Sequence, residues 1–592
     1  MKAILFFLSL LYSVGVLAQS EQLAQHYYDK GDFEKAKLSY EELSKQQPSN
    51  TFYFLRLIET QQQLEQYDLA EVQLLNRYKT YKQPSLLVEI GYNYQLKKED
   101  SKAKKYYDEA VGSLDKNPNE VYSIAGTFEK KVLVEYALRT YERAIAIEPK
   151  YNFNYKMALL YGQSGNVDKM ISTFLDEAAV NQSSIIVIQN QLSRFLAEDQ
   201  QDAFSDSLRK ALLIRVQKEQ DVFWNGFLSW YYVQKKEFAR AFVQEKAIFK
   251  RNPQSLSNIL NLAQLSIEEK DVETSRNILN FILESTSDSE ILIQANLHLL
   301  EMDISDATAG DQKKIEPKIQ AVLNQFGVSR NTLKIQLLQA HFLAFELNEI
   351  PRAKEIIDNA LKLPLNTFEQ ADVKMEMADI FLLQQKFNQA LLYYTQIEND
   401  LKNDPMGHEA SLKAAKTSYF KGDFDWAQKQ FGTLKTAVSQ LIANDALEYF
   451  LLINDSNVAD STQVALKQYA KADYLKYQNK NQEALQVFQQ LLLDYKGDQM
   501  EAVTHLQIGE IYRELGQYDK ALLAFQEIIS KHEESIYVDE ALYYSAEILN
   551  KSLNKPDEAK AFYEKILFNH QDSIYFTDSR EKYRILRGDV TL

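Results

Sequence analysis

Few side chains in this chain of 592 residues are suited to metal or thiol chemistry, because it has seven histidines and no cysteine. The histidines are His26, His298, His341, His408, His505, His532 and His570. No two of them lie within four residues, so the helical metal-binding spacing H-E-x-x-H is absent. Without cysteine there is no disulfide, no cysteine-ligated zinc, no thiolate nucleophile and no iron–sulfur cluster. We therefore expect no metal and no cofactor.

Other catalytic patterns are equally scarce. The sequence contains no G-x-S-x-G elbow, no phosphate-binding P-loop and no EF-hand calcium loop. Adjacent carboxylates such as Glu41–Glu42 and Glu268–Glu269 are frequent, but in an acidic chain they are typical of a solvated helix face. A Ser-His-Asp set assembled from distant positions stays an open alternative. The sequence predicts that the protein is not an enzyme.

The composition indicates which elements carry these side chains. Only 17 Gly and 10 Pro occur, far below the turn content of an all-β protein or the glycine clusters of a Rossmann enzyme. Hydrophobic residues make up 45% and charged residues 25%, which is enough for a folded core. The net charge of −16 argues against nucleic-acid binding as the main activity. We expect a long, helical, folded protein that binds no nucleic acid.

The N-terminus has the pattern of a secretory signal peptide. Met1–Ala3 supplies one positive charge, an apolar run follows from Ile4 to Leu17, and small or aliphatic residues precede Gln19. The run is short for a membrane span, so we expect cleavage after Ala18 rather than an uncleaved anchor or a first buried helix. We expect no direct membrane insertion, and with no cysteine no lipid anchor.

An internal repeat runs along the chain. Ala36, Ala70, Ala103 and Ala137 are spaced by 34, 33 and 34 residues, and Met170 takes the next place. In clear units another small residue lies twelve positions earlier and an aromatic residue four positions later. Small residues at these two points let two antiparallel helices approach closely, and the aromatic side chain fills the space beside the crossing. Repeats of 20–50 residues are typical of solenoids.

Turn residues punctuate the same units. Gly31, Gly165, Gly422 and Gly516 fall between the two helices of a unit, where a left-handed backbone is expected. The second helices are expected to end before the prolines of the same pattern, which are Pro48, Pro149 and Pro253.

The pattern resembles the tetratricopeptide repeat. The clearest unit is formed by Ile508, Gly509, Tyr512, Gly516, Tyr518, Ala521, Phe525 and Ile528. About twelve or thirteen units can be placed, so the sequence predicts an all-α α-solenoid of antiparallel helix pairs rather than an irregular helical bundle. His341 falls at a small-residue position of its unit, and we expect it to be packed rather than to bind a ligand.

Breaks in the period suggest domain boundaries. We expect an N-terminal array at 19–180, divergent helical repeats at 181–330 with a loop near 303–311, a central array at 331–440, and a C-terminal array and tail at 441–592. The last segment also resembles exported tetratricopeptide proteins of Bacteroidota-type bacteria. The matching residues are Leu441–Leu447, Tyr469–Ala470, Ala472–Asp473, Asp572–Tyr575, Arg580, Tyr583–Arg584 and Leu586–Asp589.

The resemblance implies a concave groove lined by the first helix of each unit. The predicted groove-facing residues are Tyr28, Phe52, Leu55, Tyr92, Tyr122, Tyr155, Phe223 and Trp230. The competing interpretation is that these side chains only pack between neighbouring repeats. The Lys/Asn pair with which some repeats bind a terminal carboxylate is absent from the corresponding positions, such as Leu55 and Glu59.

Together these patterns predict a non-enzymatic scaffold of the bacterial cell envelope that binds envelope proteins or peptide segments through its groove. The expected location is the periplasm, at the periphery of the outer membrane through a partner. One alternative is a structural spacer subunit of an envelope assembly or secretion complex, docked through the tail at 570–592. Another is an enzyme or carbohydrate-binding domain within 285–330.

Overall fold

A computed structural model describes residues 20–199, 202–219, 221–253, 256–307, 310–436, 440–459, 463–497 and 499–588. Within these ranges every regular element is a helix and no residue lies in a β-strand. The predicted all-α class is confirmed. The predicted signal peptide, residues 1–18, lies outside the described residues.

Contacts between Cα atoms group the chain into two compact units. The first ends at Ile214, and the second begins at Arg215 and also includes Asp202. This division falls inside the predicted segment 181–330. The predicted boundaries near residues 180, 330 and 440 stay predictions.

The first unit contains eleven described helices and part of a twelfth. They are α1 (residues 20–29), α2 (Phe33–Gln46), α3 (Thr51–Gln63), α4 (Tyr67–Tyr81), α5 (Ser85–Leu96), α6 (Asp100–Gly112), α7 (Val121–Lys130), α8 (Val134–Ile147), α9 (Asn154–Gln163), α10 (Val167–Val180), α11 (Ile185–Glu198) and α12 (Ala203–Glu219), which is divided between the units.

The second unit continues the series. Its helices are α13 (Val222–Gln234), α14 (Phe238–Arg251), α15 (Ser257–Glu268), α16 (Val272–Ser285), α17 (Ser289–Ser305), α18 (Gln312–Phe326), α19 (Leu333–His341), α20 (Ile350–Ala360), α21 (Thr367–Leu383), α22 (Phe387–Asp400), α23 (Pro405–Lys421), α24 (Phe424–Leu434), α25 (Gln440–Ala459), α26 (Val464–Tyr477), α27 (Asn481–Asp494), α28 (Glu501–Glu514), α29 (Tyr518–Lys531), α30 (Val538–Glu547), α31 (Pro556–Asn569) and α32 (Phe576–Arg587).

Successive helices within each unit pack as antiparallel pairs, in which we call the first helix the A helix and the second the B helix. The predicted small-residue contact holds each pair together. In the pair α7/α8, for example, Ala125 and Ala137 are both fully buried, and Tyr141 fills the space one turn further on. Because the aromatic residue at this position is buried, its hydroxyl needs a partner. The Tyr141 hydroxyl donates to Glu129 and that of Tyr107 donates to Gln95, each on the preceding A helix.

The turns between A and B helices have a left-handed residue at a constant place. Gly31, Gly165, Gly422 and Gly516 have φ between 68° and 88°, as their place in the sequence predicts. The same place is taken by non-glycine residues in other pairs, including Val132 with φ 58°. The turn conformation is therefore dictated by the packing of the pair, because a β-branched residue does not favour it by itself.

Two irregularities interrupt the regular spacing of the helix pairs. Residues 303–311 are only partly a loop, since α17 continues to Ser305 and the connection to α18 follows it. The long interval between Ala427 and Ala484 is explained by α25, an inserted helix that packs against α24 before the pairs resume with α26 and α27.

Candidate functional site

A cavity of about 1220 Å³ lies inside the second unit. Residues of the A helices α19, α21, α23, α26, α28 and α30 line it, together with residues of the inserted helix α25. The cavity is thus built mostly from first helices, as expected for the concave side of a repeat array.

One wall of the cavity is fixed by contacts between helices far apart in sequence. The Tyr474 hydroxyl of α26 donates to the carbonyl oxygen of Leu382 at 2.6 Å, where α21 ends. The Gln478 amide donates to the carbonyl oxygen of Leu383 at 2.9 Å. The Leu382 carbonyl also accepts from the Gln385 backbone N–H, so the bonds from α26 add to the C-terminal cap of α21 and hold α26 against it.

The lining is strongly acidic. It holds nine carboxylates and three lysines, Lys413, Lys416 and Lys476. The carboxylates include Asp379, Asp445, Glu448, Asp473, Glu510 and Glu540. The charge of this lining is therefore negative at neutral pH.

Each cavity lysine has a carboxylate partner of its own. Lys413 lies 2.7 Å from Asp379, Lys476 lies 2.7 Å from Glu510, and Lys416 lies 3.4 Å from Asp445. Asp379 also accepts a hydrogen bond from the buried Tyr394 hydroxyl. The lysines thus engage three of the carboxylates closely, and Lys413 also lies 3.7 Å from Glu409, which leaves the remaining lining carboxylates without a lysine partner among the described residues.

Glu448 is one of the cavity carboxylates that form no ion pair with a lysine of the described ranges. It is exposed to the cavity but enclosed by neighbouring helices, and it has no hydrogen-bond or ion-pair partner among the described residues. Burial, reinforced by the charges of Glu540 and Glu510, raises the pKa of Glu448 to about 7.

Asp473 is also surrounded by protein. Burial raises the pKa of its carboxyl group, although a hydrogen bond from the Tyr449 hydroxyl at 3.0 Å acts in the opposite direction. Close to it lies Tyr469, whose side chain is 3% exposed and lines the cavity. The Tyr469 hydroxyl has no hydrogen-bond partner among the described residues, while its ring packs edge-on against Phe488.

His341 also lines this cavity. Its ring stacks on Phe345 with centroids 4.3 Å apart, and its Nδ1 lies 3.1 Å from Glu376. Burial disfavours the charged imidazolium, but Glu376 outweighs this effect and the pKa of His341 is raised. The expectation that His341 occupies the packed small-residue position was wrong, because that position is held by the fully buried Ala340.

The reason is a π-helical turn, Phe342–Glu346, that directly follows α19. It adds one residue to the A helix, so the small residue precedes Ala353 by thirteen positions instead of twelve. A second π-helical turn, Ile548–Ser552, shifts Ala546 relative to Ala559 in the same way. Single-turn π-bulges of this kind often occur at functional sites.

The first unit contains six of the predicted groove residues. Arg56 connects two of them, because its guanidinium lies over the ring of Tyr28 at 5.0 Å and over that of Phe52 at 5.5 Å. The Lys131 ammonium lies 5.0 Å from the ring of Tyr92. Leu55 lies half-buried on the same helix as Arg56.

These aromatic rings share their surface with a network of charges. Lys131 has a side chain only 8% exposed and forms ion pairs with Glu59 at 3.1 Å and Glu89 at 3.2 Å. Glu59 also pairs with Arg56 at 2.9 Å. Burial opposes the charge on Lys131, but Glu89 and Glu59 outweigh it and raise its pKa. The predicted apolar shelf is therefore crossed by an ion-pair network.

The remaining predicted groove residues pack against aromatic neighbours. Tyr122 is largely exposed and lies against Phe153, and Tyr155 lies against Phe174. In the second unit, Phe223 contacts Trp224, and Trp230 contacts Phe227. Partner binding by these eight residues stays a prediction.

The acidic cavity was missed from the sequence, although a signal for it exists. In successive A helices from α19 onwards, a charged or titratable side chain directly follows the small residue at the helix crossing. The residues at this place are His341, Asp379, Lys416, Asp473, Glu510 and Glu547, and all but Glu547 line the cavity. A search for charge at a fixed place of the repeat would have located it, once the two π-helical turns were known.

Two further features concern other kinds of site. Among the described residues, no three His, Cys, Asp or Glu side chains are arranged to hold a metal ion. None of the described helices is both long and apolar enough to cross a membrane.

The family comparison agrees with the repeat geometry. The tetratricopeptide-repeat family model matches residues 504–535 and 540–573, which cover most of the pairs α28/α29 and α30/α31. These segments have the helix pairing of that repeat, and proteins with such repeats bind other proteins or peptides. No curated protein sequence matches the chain.

Several solved helical-repeat structures are similar over most of the chain. They include the Naa15/Naa10 complex bound to HypK, with 12% identity over 97% of this chain and 91% of that chain, at a TM-score of 0.27. The Cut9–Hcn1 hetero-tetramer of the APC/C matches with 15% identity over 90% of this chain and 96% of that chain, at a TM-score of 0.25. Yeast Tom70 matches with 14% identity over 83% of this chain and 98% of that chain, at a TM-score of 0.29. Similarities at this level do not assign the functions of those proteins to this chain.

Proposed function

We propose that this protein is a non-enzymatic scaffold that binds a segment of a partner protein inside the second unit. The observation that carries this proposal is the cavity of about 1220 Å³ lined by successive A helices. Small-molecule pockets are commonly about 300–1,000 Å³, so this space is large enough for a stretch of polypeptide. Its lining combines apolar side chains with charged ones, as peptide-binding sites do.

The same proposal places the protein in the bacterial cell envelope. Its support is the N-terminal sequence, with one Lys, a short apolar run and small or aliphatic residues at the expected cleavage site after Ala18. The proposed location is the periplasm, where a bound partner would hold the protein at the periphery of the outer membrane. Immunoblotting of periplasmic and cytosolic fractions tests this location directly.

Crosslinking in living cells tests the binding function. A photoreactive amino acid at Leu441, which is exposed and lines the cavity, is expected to capture a partner protein. The matched control is Leu493, which is about equally exposed but lies outside the cavity lining. A third position, Tyr92, tests the predicted groove of the first unit.

Equal capture from Leu441 and Leu493, or none from either, would contradict binding in the cavity. Capture only from positions near the tail at 570–592 would favour the alternative of a structural spacer.

A further inference from the structure

We propose that the occupant of the acidic cavity is a basic, extended segment of a partner protein, whose Lys or Arg side chains meet the carboxylates around Glu448. This inference rests on the proposed function and adds the chemistry of the partner. It concerns the second unit alone.

The first argument is the charge that the cavity leaves uncompensated. Its three lysines already pair with carboxylates, at 2.7 Å for Lys413 and Lys476 and at 3.4 Å for Lys416, and Lys413 also lies 3.7 Å from Glu409. Glu448 has no partner among the described residues, and Glu540 accepts only from tyrosine hydroxyls. Carboxylates that neighbouring helices partly enclose are costly to desolvate unless a cation pairs with them. An incoming ammonium or guanidinium group would supply that cation.

The second argument is an unused hydroxyl at the same place. Tyr469 is 3% exposed, lines the cavity and lacks a hydrogen-bond partner among the described residues. Its electrostatic neighbours include Asp473 and Glu448. A buried tyrosine hydroxyl normally finds a partner, so this one is available to a bound peptide, as an acceptor from a cationic side chain or as a donor to a backbone carbonyl.

The third argument is the apolar part of the lining. Leu441, Ile442 and Leu506 contribute aliphatic surface, and the rings of Phe345, Phe420 and Tyr477 contribute aromatic surface. The methylene stems of Lys and Arg pack well on such surfaces while their charged ends reach the carboxylates. A small inorganic cation would use none of this area.

The probe for this inference is a short fluorescein-labelled peptide of alternating Lys and Ala, measured by fluorescence anisotropy on the full mature chain. A peptide of alternating Glu and Ala and one of alternating Gln and Ala serve as matched controls of charge. We expect only the Lys peptide to bind. We also expect its affinity to fall as salt is raised from about 50 mM to about 500 mM, because exposed charges are screened over a shorter distance.

Variants locate the binding. Glu448→Gln combined with Glu540→Gln keeps side-chain size and is expected to weaken the Lys peptide by about tenfold or more, since it removes two charged acceptors. Tyr469→Phe is expected to weaken it several-fold. The control variants Glu483→Gln and Asp519→Asn remove exposed carboxylates of the second unit that do not line the cavity, and they are expected to bind as the unmodified chain does.

Three outcomes overturn the inference. The first is binding of the Lys peptide that Glu448→Gln/Glu540→Gln leaves unchanged while thermal unfolding confirms that the variant is folded. The second is equal binding of the Lys, Gln and Glu peptides, which would leave the cavity a peptide site without charge preference. The third is that spermine binds the cavity and the Lys peptide does not displace it.

The proposed function fails separately, by the absence of any captured partner from Leu441 in cells. A captured partner whose bound segment is acidic or neutral would support the proposed scaffold function but refute the inference that the occupant is basic.

Discussion

Gly509 and Phe525 contact each other so closely that no other side chain fits at the glycine. A Cβ placed at Gly509 would lie 2.7 Å from Cδ1 and 2.8 Å from Cζ of the Phe525 ring. The two residues come from α28 and α29, which form the pair that best matches the repeat pattern. Gly91 and Tyr107 stand in the same relationship in the first unit, where a Cβ would lie 2.6 Å from Tyr107 Cδ1.

Gly509→Ala is expected to destabilise the second unit by about 1–3 kcal/mol, because overpacking outweighs the better helix propensity of alanine. Tryptophan fluorescence is the suitable measurement, since Trp224, Trp230 and Trp426 all belong to the second unit. Gly126→Ala in α7 is the matched control, because a Cβ there meets no atom within 4 Å. That control is expected to stabilise the first unit slightly, which hydrogen exchange of α7 measures, since the three tryptophans report only on the second unit.

The larger change Gly509→Trp is expected to unfold the neighbouring pairs while the first unit stays folded, since each repeat depends mainly on its neighbours. Limited proteolysis followed by mass spectrometry reads the two units separately. Simultaneous loss of protection in residues 20–199 would show that the two units do not unfold independently.

Val132→Gly is expected to stabilise the protein by about 1 kcal/mol, because a β-branched residue with positive φ is strained and glycine is not. Val132 has φ 58° and is 75% exposed, so little packing is lost. The reciprocal change, Gly165→Val at the equivalent turn with φ 75°, is expected to cost a similar amount or more. Hydrogen exchange of α7 to α10 measures both. A destabilising Val132→Gly would mean that its side chain has a binding or packing role.

Lys131→Met is expected to destabilise the first unit by about 3 kcal/mol, since it leaves a buried carboxylate without its cation. Glu89 has a side chain only 5% exposed, and burial raises its pKa even with Lys131 present. The double variant Lys131→Met/Glu89→Leu removes both charges and is expected to recover most of the loss. Urea unfolding followed by hydrogen exchange of α5 and α7 measures the difference. Equal stability of the single and double variants would argue against the ion pair as the cause.

The stability of the second unit is expected to depend on pH through Glu448. Its pKa is raised to about 7 by burial and by Glu540 and Glu510, with Asp445 adding to this and Lys416 opposing it. Because the unfolded value is about 4.3, the proton held by Glu448 stabilises the folded state fully below about pH 4.3. That stabilisation is lost as the pH rises through 7.

Glu448→Gln removes this titration. Relative to the unmodified chain, the variant is expected to gain about 1 kcal/mol in stability between about pH 5.5 and about pH 8.5, after allowance for the access of solvent to the cavity. Fluorescence-detected urea unfolding at both pH values gives the difference, and Glu483→Gln is expected to give none. A constant offset between the variant and the unmodified chain would refute a titration near neutral pH.

Much of the local structure could be predicted from the sequence. The crossing of each helix pair needs small residues and a following aromatic, so Ala125, Ala137 and Tyr141 indicate their contact directly. Glycines such as Gly31 mark left-handed turns, because few other residues adopt them without strain. These requirements involve residues that are close in sequence, so each unit shows them independently of the others.

The cavity depends on information of a different kind. One added residue in a π-helical turn places His341 at the cavity instead of at the expected packed position. No particular residue type predicts such a turn. The hydrogen bond between Tyr474 and Leu382 joins positions 92 residues apart. The sequence by itself determined the helices, their pairing and an acidic chain. Only the tertiary structure decided that Glu448, Asp473 and Glu540 face one space, since the curvature of stacked pairs is the sum of many small rotations between neighbours.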